Sequence, residues 1–221
     1  MTSTSTSPTP DRLLARWRGI RNRRRKRVSS LRKETARLVA SIARLNRTIR
    51  RRREALAGGD GAKAARYLLG FVGRTESPPG SNDAPFLRDW ENRLGHDRLD
   101  WMIPGQPWCG LACIAAWKFG AGKLLPDGTV YTPNIVNWAR AGEHFEAVPP
   151  DEAKPGDLVV FDFDSGGADH VGLALWPARA GLIPTVEGNT SPSDAGSQAN
   201  GGGVFKRSRH VGLIAVVARP I

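Results

Sequence analysis

From Asp11 to Ala57 the chain carries no proline and a single glycine, Gly19, and it is dominated by arginine, leucine and alanine. The pattern predicts one long helix. Within it Val28, Leu31, Thr35, Leu38, Ile42, Leu45 and Ile49 recur at alternating spacings of three and four, an apolar stripe along one side. Such a stripe suits a coiled coil. Against that, the flanking positions offer little charge complementarity, Arg52 interrupts the seam, and a dimer would bring two basic arms together. Packing of the stripe on the chain's own second domain accounts for it equally well. Gly58-Gly59-Asp60-Gly61 then reads as a linker, dividing an arm at 1–57 from a domain at 62–221.

Beyond the linker, Ala62–Val72 reads as a short helix, Glu76–Asn82 as a loop and Pro85–Leu94 as an amphipathic helix. Gly105 and Pro107 mark a loop before the apolar run Leu111–Phe119, a buried helix, and a fourth helix falls at about 133–141. After Pro149-Pro150 the texture changes. Asp157–Phe163, His170–Trp176, Ile183–Glu187, Val204–Arg209 and Gly212–Ala218 are strands, with turns at Pro155-Gly156 and Asp164–Gly167. Between them Thr190–Gly203 is a Gly/Ser/Asn loop too long for a mere connection, and so a candidate functional rim. Helices first and consecutive short strands afterwards imply an α+β domain with an antiparallel sheet. Residues 1–10, rich in Ser, Thr and Pro, read as disordered.

Charge sharpens the division. The net charge is +12, yet residues 1–57 hold 18 Lys and Arg against 3 Asp and Glu, while the rest hold 15 against 18. A mildly acidic domain thus carries a strongly basic arm, and attraction to a polyanion belongs to the arm. Two cysteines make no disulfide framework, as suits a reducing compartment. The N-terminus has no apolar stretch of the kind a signal peptide needs.

Chemistry concentrates around Pro107-Trp108-Cys109-Gly110. Cys109 falls in the first turn of the buried helix, where free amides and the helix dipole favour a thiolate. It reads either as a nucleophile or as a small core residue. Gly110 beside it leaves room for a substrate backbone. Cys113, one turn on, reads as core; a helical turn does not orient the two thiols for a disulfide, and no further Cys or nearby His completes a metal site. A cysteine nucleophile needs a base. Of the four histidines, His96, His144 and His210 fall in loops or turns. His170 opens a strand whose alternation puts His170, Gly172 and Ala174 on one face, with room there for a helix N-terminus to approach the imidazole. It is either that base or an ordinary strand residue. Glu187 and Asn189, flanking Gly188 at the end of the next strand, could each accept the second ring N–H; an ordinary strand-ending turn reads the same.

Five segments in order resemble the CHAP family, the cysteine- and histidine-dependent amidohydrolase/peptidase domain of peptidoglycan hydrolases. They are Gly73–Asn82 (GRTESPPGSN), Pro107–Gly110 (PWCG), Pro155–Phe161 (PGDLVVF), Asp169–Gly172 (DHVG) and Glu187–Asn189 (EGN), within roughly 62–218. The resemblance implies a papain-like fold, with Cys109 as nucleophile, His170 as general base, Glu187 orienting the imidazole and Asn189 assisting. It implies cleavage of a peptidoglycan amide through a thioester, as an N-acetylmuramoyl-L-alanine amidase or an endopeptidase. Lacking a signal peptide, such an enzyme is expected to be a phage endolysin, held in the host cytoplasm until lysis and acting at the cell wall. Some members bind calcium through alternating Asp residues before the nucleophile. Here Asp83, Asp89, Asp97 and Asp100 do not alternate, so no metal and no cofactor is expected. The arm at 11–57 lies outside the family pattern, and its expected partners are an anionic wall polymer, a membrane surface or nucleic acid. The alternative reading is a nucleic-acid-binding or virion-assembly protein with an idle CHAP-like domain.

Overall fold

The computed structural model describes residues 10–95 and 105–221. The expectations for residues 1–9, His96, Asp97 and Asp100 lie outside the described residues. The chain divides into two compact units, Met1–Arg52 and Arg53–Ile221. Helix α1 runs from Pro10 to Ala57, past the boundary between the two units. Its apolar side chains from Val28 to Ile49 are 42–59% exposed.

The second unit is α+β. Among the described residues, helices α2 (Asp60–Leu69), α3 (Pro85–Leu94), α4 (Cys109–Ala115) and α5 (Thr132–Ala141) precede six strands. These are β1 (Phe145–Val148), β2 (Leu158–Phe161), β3 (His170–Ala174), β4 (Leu182–Thr190), β5 (Gly203–His210) and β6 (Ile214–Pro220). They form one sheet in the order β1-β6-β2-β3-β4-β5, and every pairing is antiparallel. Strand β1 has no counterpart in the sequence reading: four residues, two of them exposed, give no alternation to detect. Among the described residues no helix is long and apolar enough to cross a membrane.

The sheet has two differently covered faces. On one, Leu158, Val160, Val171, Leu173, Val186, Val204 and Ala218 join the main core with the fully buried α4. On the other, Val159, Phe161, Ala174, Ile183 and Val217 form a smaller cluster. Helix α4 does not stop at Ala115 but continues as a π-helical segment, Ala116–Ala121, ended by Gly122 in the left-handed conformation. The expected linker is partly a packing element. A Cβ on Gly61 would lie 2.3 Å from the Pro155 carbonyl oxygen, so the start of α2 is pressed on the Pro155-Gly156 turn. The same turn is held by Trp117 Nε1, which donates to the Gly156 carbonyl at 3.1 Å.

A candidate active site at Cys109 and His170

Cys109 is the first residue of α4, and Trp108 is its N-cap. Cys109 is 4% exposed. What seats this helix start is a set of contacts on either side. Trp108 donates through Nε1 to Glu76 Oε1 at 2.8 Å and meets the Phe86 ring edge-on. Gly188 on β4 lets the helix close on the sheet, since a Cβ there would come within 2.5 Å of Ala112 Cβ and 2.7 Å of Trp108 Cζ3. Gly110 serves the same end. Its missing Cβ is replaced by backbone, Val130 Cα at 2.4 Å, so the space expected for substrate is filled by the 3₁₀ turn Asp127–Val130.

His170 is fully buried as the first residue of β3. It pairs in register with Phe161 and stacks on that ring at 6.1 Å, with Phe163 at 5.8 Å. Its side chain therefore lies on the Phe161 face, opposite the face that α4 covers. The expected reason for its small neighbours is thus corrected: Gly172 clears space for Glu187, whose Cγ would sit 2.4 Å from a Cβ there, and not for the helix. Cys109 lies near enough to the imidazole to raise its pKa.

The ring is held by its Nε2, which lies 3.1 Å from Glu187 Oε2. Nδ1 is buried without a well-formed hydrogen bond, and with Nε2 engaged it is the nitrogen left for Cys109. Burial alone would lower the basicity of His170, but the proximity of Cys109 and the hydrogen bond and charge of Glu187 outweigh it and raise the pKa to about 9. Burial acts oppositely on Glu187, and there the contacts to His170 and Arg209 win, lowering its pKa to about 2.

Glu187 is fully buried and collects four groups. Besides His170, the Thr185 hydroxyl donates to Oε1, Arg209 Nε donates to Oε1 at 3.0 Å, and Arg209 Nη2 donates to Oε2. Arg209 is 4% exposed, also donates to the Thr190 hydroxyl, and lies 4.9 Å from the Phe163 ring centroid. Sequence reasoning missed it. Arg209 stands among Lys206, Arg207 and His210 and reads there as one more surface cation; the one available signal was its place on the strand alternation that also carries Arg207 and Phe205.

Asn189 is fully buried but does not reach the imidazole. It adopts a positive φ of 57° at an irregularity in the β4–β5 ladder, and its Oδ1 accepts from Gly202 N at 3.3 Å. Its Nδ2 is buried without a partner. The acceptor role left open between Glu187 and Asn189 is taken by Glu187, and Asn189 anchors the long loop instead. That loop is tied down: Gln198 accepts from Arg207 and Arg209 through Oε1, and Gly201 N donates to the Asn189 carbonyl.

The remaining described candidates make no side-chain hydrogen bond to this line of residues. His144 packs edge-on to Trp138, and the His210 Nδ1 accepts from Gly212 N at 3.1 Å at the surface. Cys113 is fully buried, and burial pushes its thiol pKa well up. Asp162, Asp164 and Asp169, in the β2–β3 loop, each bring one carboxylate oxygen within 4.8 Å of the others, a spacing a cation could use. A cleft of about 840 Å³ lined by Asp60, Lys123, His144, Asp157 and Arg219 contains neither Cys109 nor His170.

No family model matches the sequence, and no curated protein matches it. Among solved structures, the crystal structure of a wild-type endolysin, LysIME-EF1, aligns with 72% of this chain at 16% identity and a TM-score of 0.43. The chain spans 63% of the length of that protein. A likeness this shallow transfers neither fold family nor activity, and the functional reading rests on the residues of this chain.

Proposed function

We propose that this chain is a peptidoglycan hydrolase of papain-like CHAP type, cleaving an amide of the stem peptide or cross-bridge as an amidase or endopeptidase. The observation that carries the reading is the buried line Cys109, His170, Glu187, Arg209. Burying charged groups such as Glu187 and Arg209 costs several kcal/mol each before pairing, and apolar side chains would fill the same volume more cheaply. Such a line is worth keeping where its chemistry is used. The order of motifs that resembles the CHAP family supplies the substrate class.

In the proposed mechanism the Cys109 thiolate adds to the carbonyl carbon of the scissile amide. Backbone N–H groups at the start of α4 hold the oxyanion. His170, cationic at neutral pH, gives its proton to the leaving amine as the C–N bond breaks, which leaves a thioester. The neutral imidazole then takes a proton from water, the hydroxide oxygen attacks the thioester, and the carboxylate product departs as the thiolate re-forms. Glu187 keeps the ring oriented and favours its cationic form. Arg209 and Thr185 hold Glu187 in place.

The test is turbidity loss of purified bacterial walls with wild type, Cys109→Ala and His170→Ala, followed by mass spectrometry of the new amine and carboxyl ends. Loss of activity in both variants supports the reading. Undiminished lysis by Cys109→Ala contradicts it. The basic arm is proposed to hold the enzyme on an anionic wall polymer, membrane surface or nucleic acid. Adhesion should then fall steeply toward physiological salt, where exposed charges are screened over about 8 Å.

A further inference from the structure

We propose that Val28–Ile49 of α1 forms a parallel, in-register, two-stranded coiled coil with a second copy of this chain. The inference is independent of the enzymatic reading.

The apolar stripe is not a uniform mixture. Written as a heptad, Val28, Thr35, Ile42 and Ile49 fall at a, and Leu31, Leu38 and Leu45 fall at d. Every a residue is β-branched and every d residue is leucine. Packing in a parallel dimer makes this distinction, because the Cα–Cβ bonds at a and d meet the partner helix at different angles. A lipid surface makes no such distinction, since any apolar side chain at either column immerses equally well. Leu14 and Trp17 fall on the same two columns further back, beyond Arg21 and Arg24.

Charge placement removes the main objection, that two basic arms should repel. From Glu34 to Thr48 the e and g positions hold Glu34, Val39, Ser41, Asn46 and Thr48, none of them basic. The cations of this stretch, Arg37, Arg44 and Arg47, stand at c and f, which face away from a partner. Within the seam repulsion is confined to its N-terminal end, where Arg27 at g and Arg32 at e would meet like charges; beyond Ile49, Arg52 at the next d position and Arg53 at e end it.

The helix also requires a cover. Among the described residues its own unit is one helix with nothing packed on the stripe, and a surface helix owes most of its stability to packing of its apolar face. The seam from Val28 to Ile49 spans three heptads, about 32 Å at 1.5 Å per residue, which is long enough to sustain a coiled coil. The cationic outer faces of the two helices would remain free, so dimerisation and polyanion binding use different sides of the same arm.

The test is sedimentation equilibrium of the full chain across micromolar concentrations at low and high salt. The expected result is reversible association to twice 24.0 kDa, tightened by salt as the Arg27 and Arg32 repulsion is screened. Leu38→Asp should raise the dissociation constant on the order of 100-fold or more, since two buried leucines are lost per dimer. Thr35→Ile should instead tighten it, a gain that misfolding cannot mimic. Thr35→Cys should form an interchain disulfide on mild oxidation where wild type, with Cys109 and Cys113 both buried, does not. A chain monomeric at every concentration and salt overturns the proposal, as does one that orders its arm only on vesicles of anionic phospholipid. So does a dimer that Leu38→Asp leaves intact, or one that Thr35→Cys fails to cross-link.

Discussion

Replacing Arg209 with methionine isolates the part of the site that sequence reasoning did not find. The substitution keeps most of the side-chain volume against Phe163 and removes two hydrogen bonds and one full charge from Glu187. Glu187 would stay fully buried, with only the Thr185 hydroxyl and the His170 ring as partners. Breaking a buried ion pair by removing one partner costs about 3–5 kcal/mol. Because His170 still shares the charge, the expected loss is at the lower end, about 3 kcal/mol, or a fall in Tm of about 6–12 °C for a unit of this size. The sign with pH is specific. Glu187 is held near 2 instead of 4.5, so its stabilisation is complete above pH 4.5 and is lost as pH falls through about 2. Without Arg209 the carboxyl pKa rises, and the acid limb of stability moves up with it. Urea unfolding from pH 3 to 8 reads the effect, with wall lysis measured in parallel. Arg209→Lys should recover part of it, having the charge but not the two-pronged geometry. If Arg209→Met matches wild type in stability at pH 4 and in the pH profile of lysis, Arg209 does not hold Glu187.

Three further outcomes follow from the same geometry. A thiol alkylator should label Cys109 and abolish the proposed wall lysis, whereas Cys113, fully buried with its pKa raised, should stay unlabelled until unfolding, as peptide mapping would read. Lysis should decline as pH rises through about 9, where His170 loses its proton; the raised pKa also means that its contribution to stability, complete below 6.5, disappears over that window, so a rate that stays flat to pH 10 in folded enzyme would contradict the assignment. Gly188→Ala should cost about 1–3 kcal/mol by overpacking and lower activity by displacing the start of α4, readable as a Tm loss with a drop in kcat that Cys113→Ala does not show.

The elements that sequence displayed best are those whose cause is local. Pro85 and Leu94 bound a helix in both readings, and His170 opens a strand in both, because proline, glycine and short apolar runs act within a few residues. What was hidden depends on distant chain. Strand β1 exists only because β6 pairs with it. Gly110, Gly172 and Gly188 look alike in sequence, yet one accommodates a 3₁₀ turn, one a glutamate side chain and one a helix. Cys109, His170 and Glu187 could be chosen by residue type and motif order. The division of labour between Glu187 and Asn189 could not, since it turns on which side chain reaches the imidazole across the β3–β4 pair. Arg209 was invisible for the reason that makes it informative: a cation in a basic strand declares itself only when the structure buries it against a carboxylate.

The most direct measurement of the central claim is intact-mass analysis of the protein mixed rapidly with soluble muropeptides and quenched in acid. A thioester on the peptide containing Cys109, present in wild type, prolonged in Glu187→Gln and absent in Cys109→Ala, is the expected result. Full turnover of the same muropeptides by Cys109→Ala, with no covalent adduct in wild type, would contradict it.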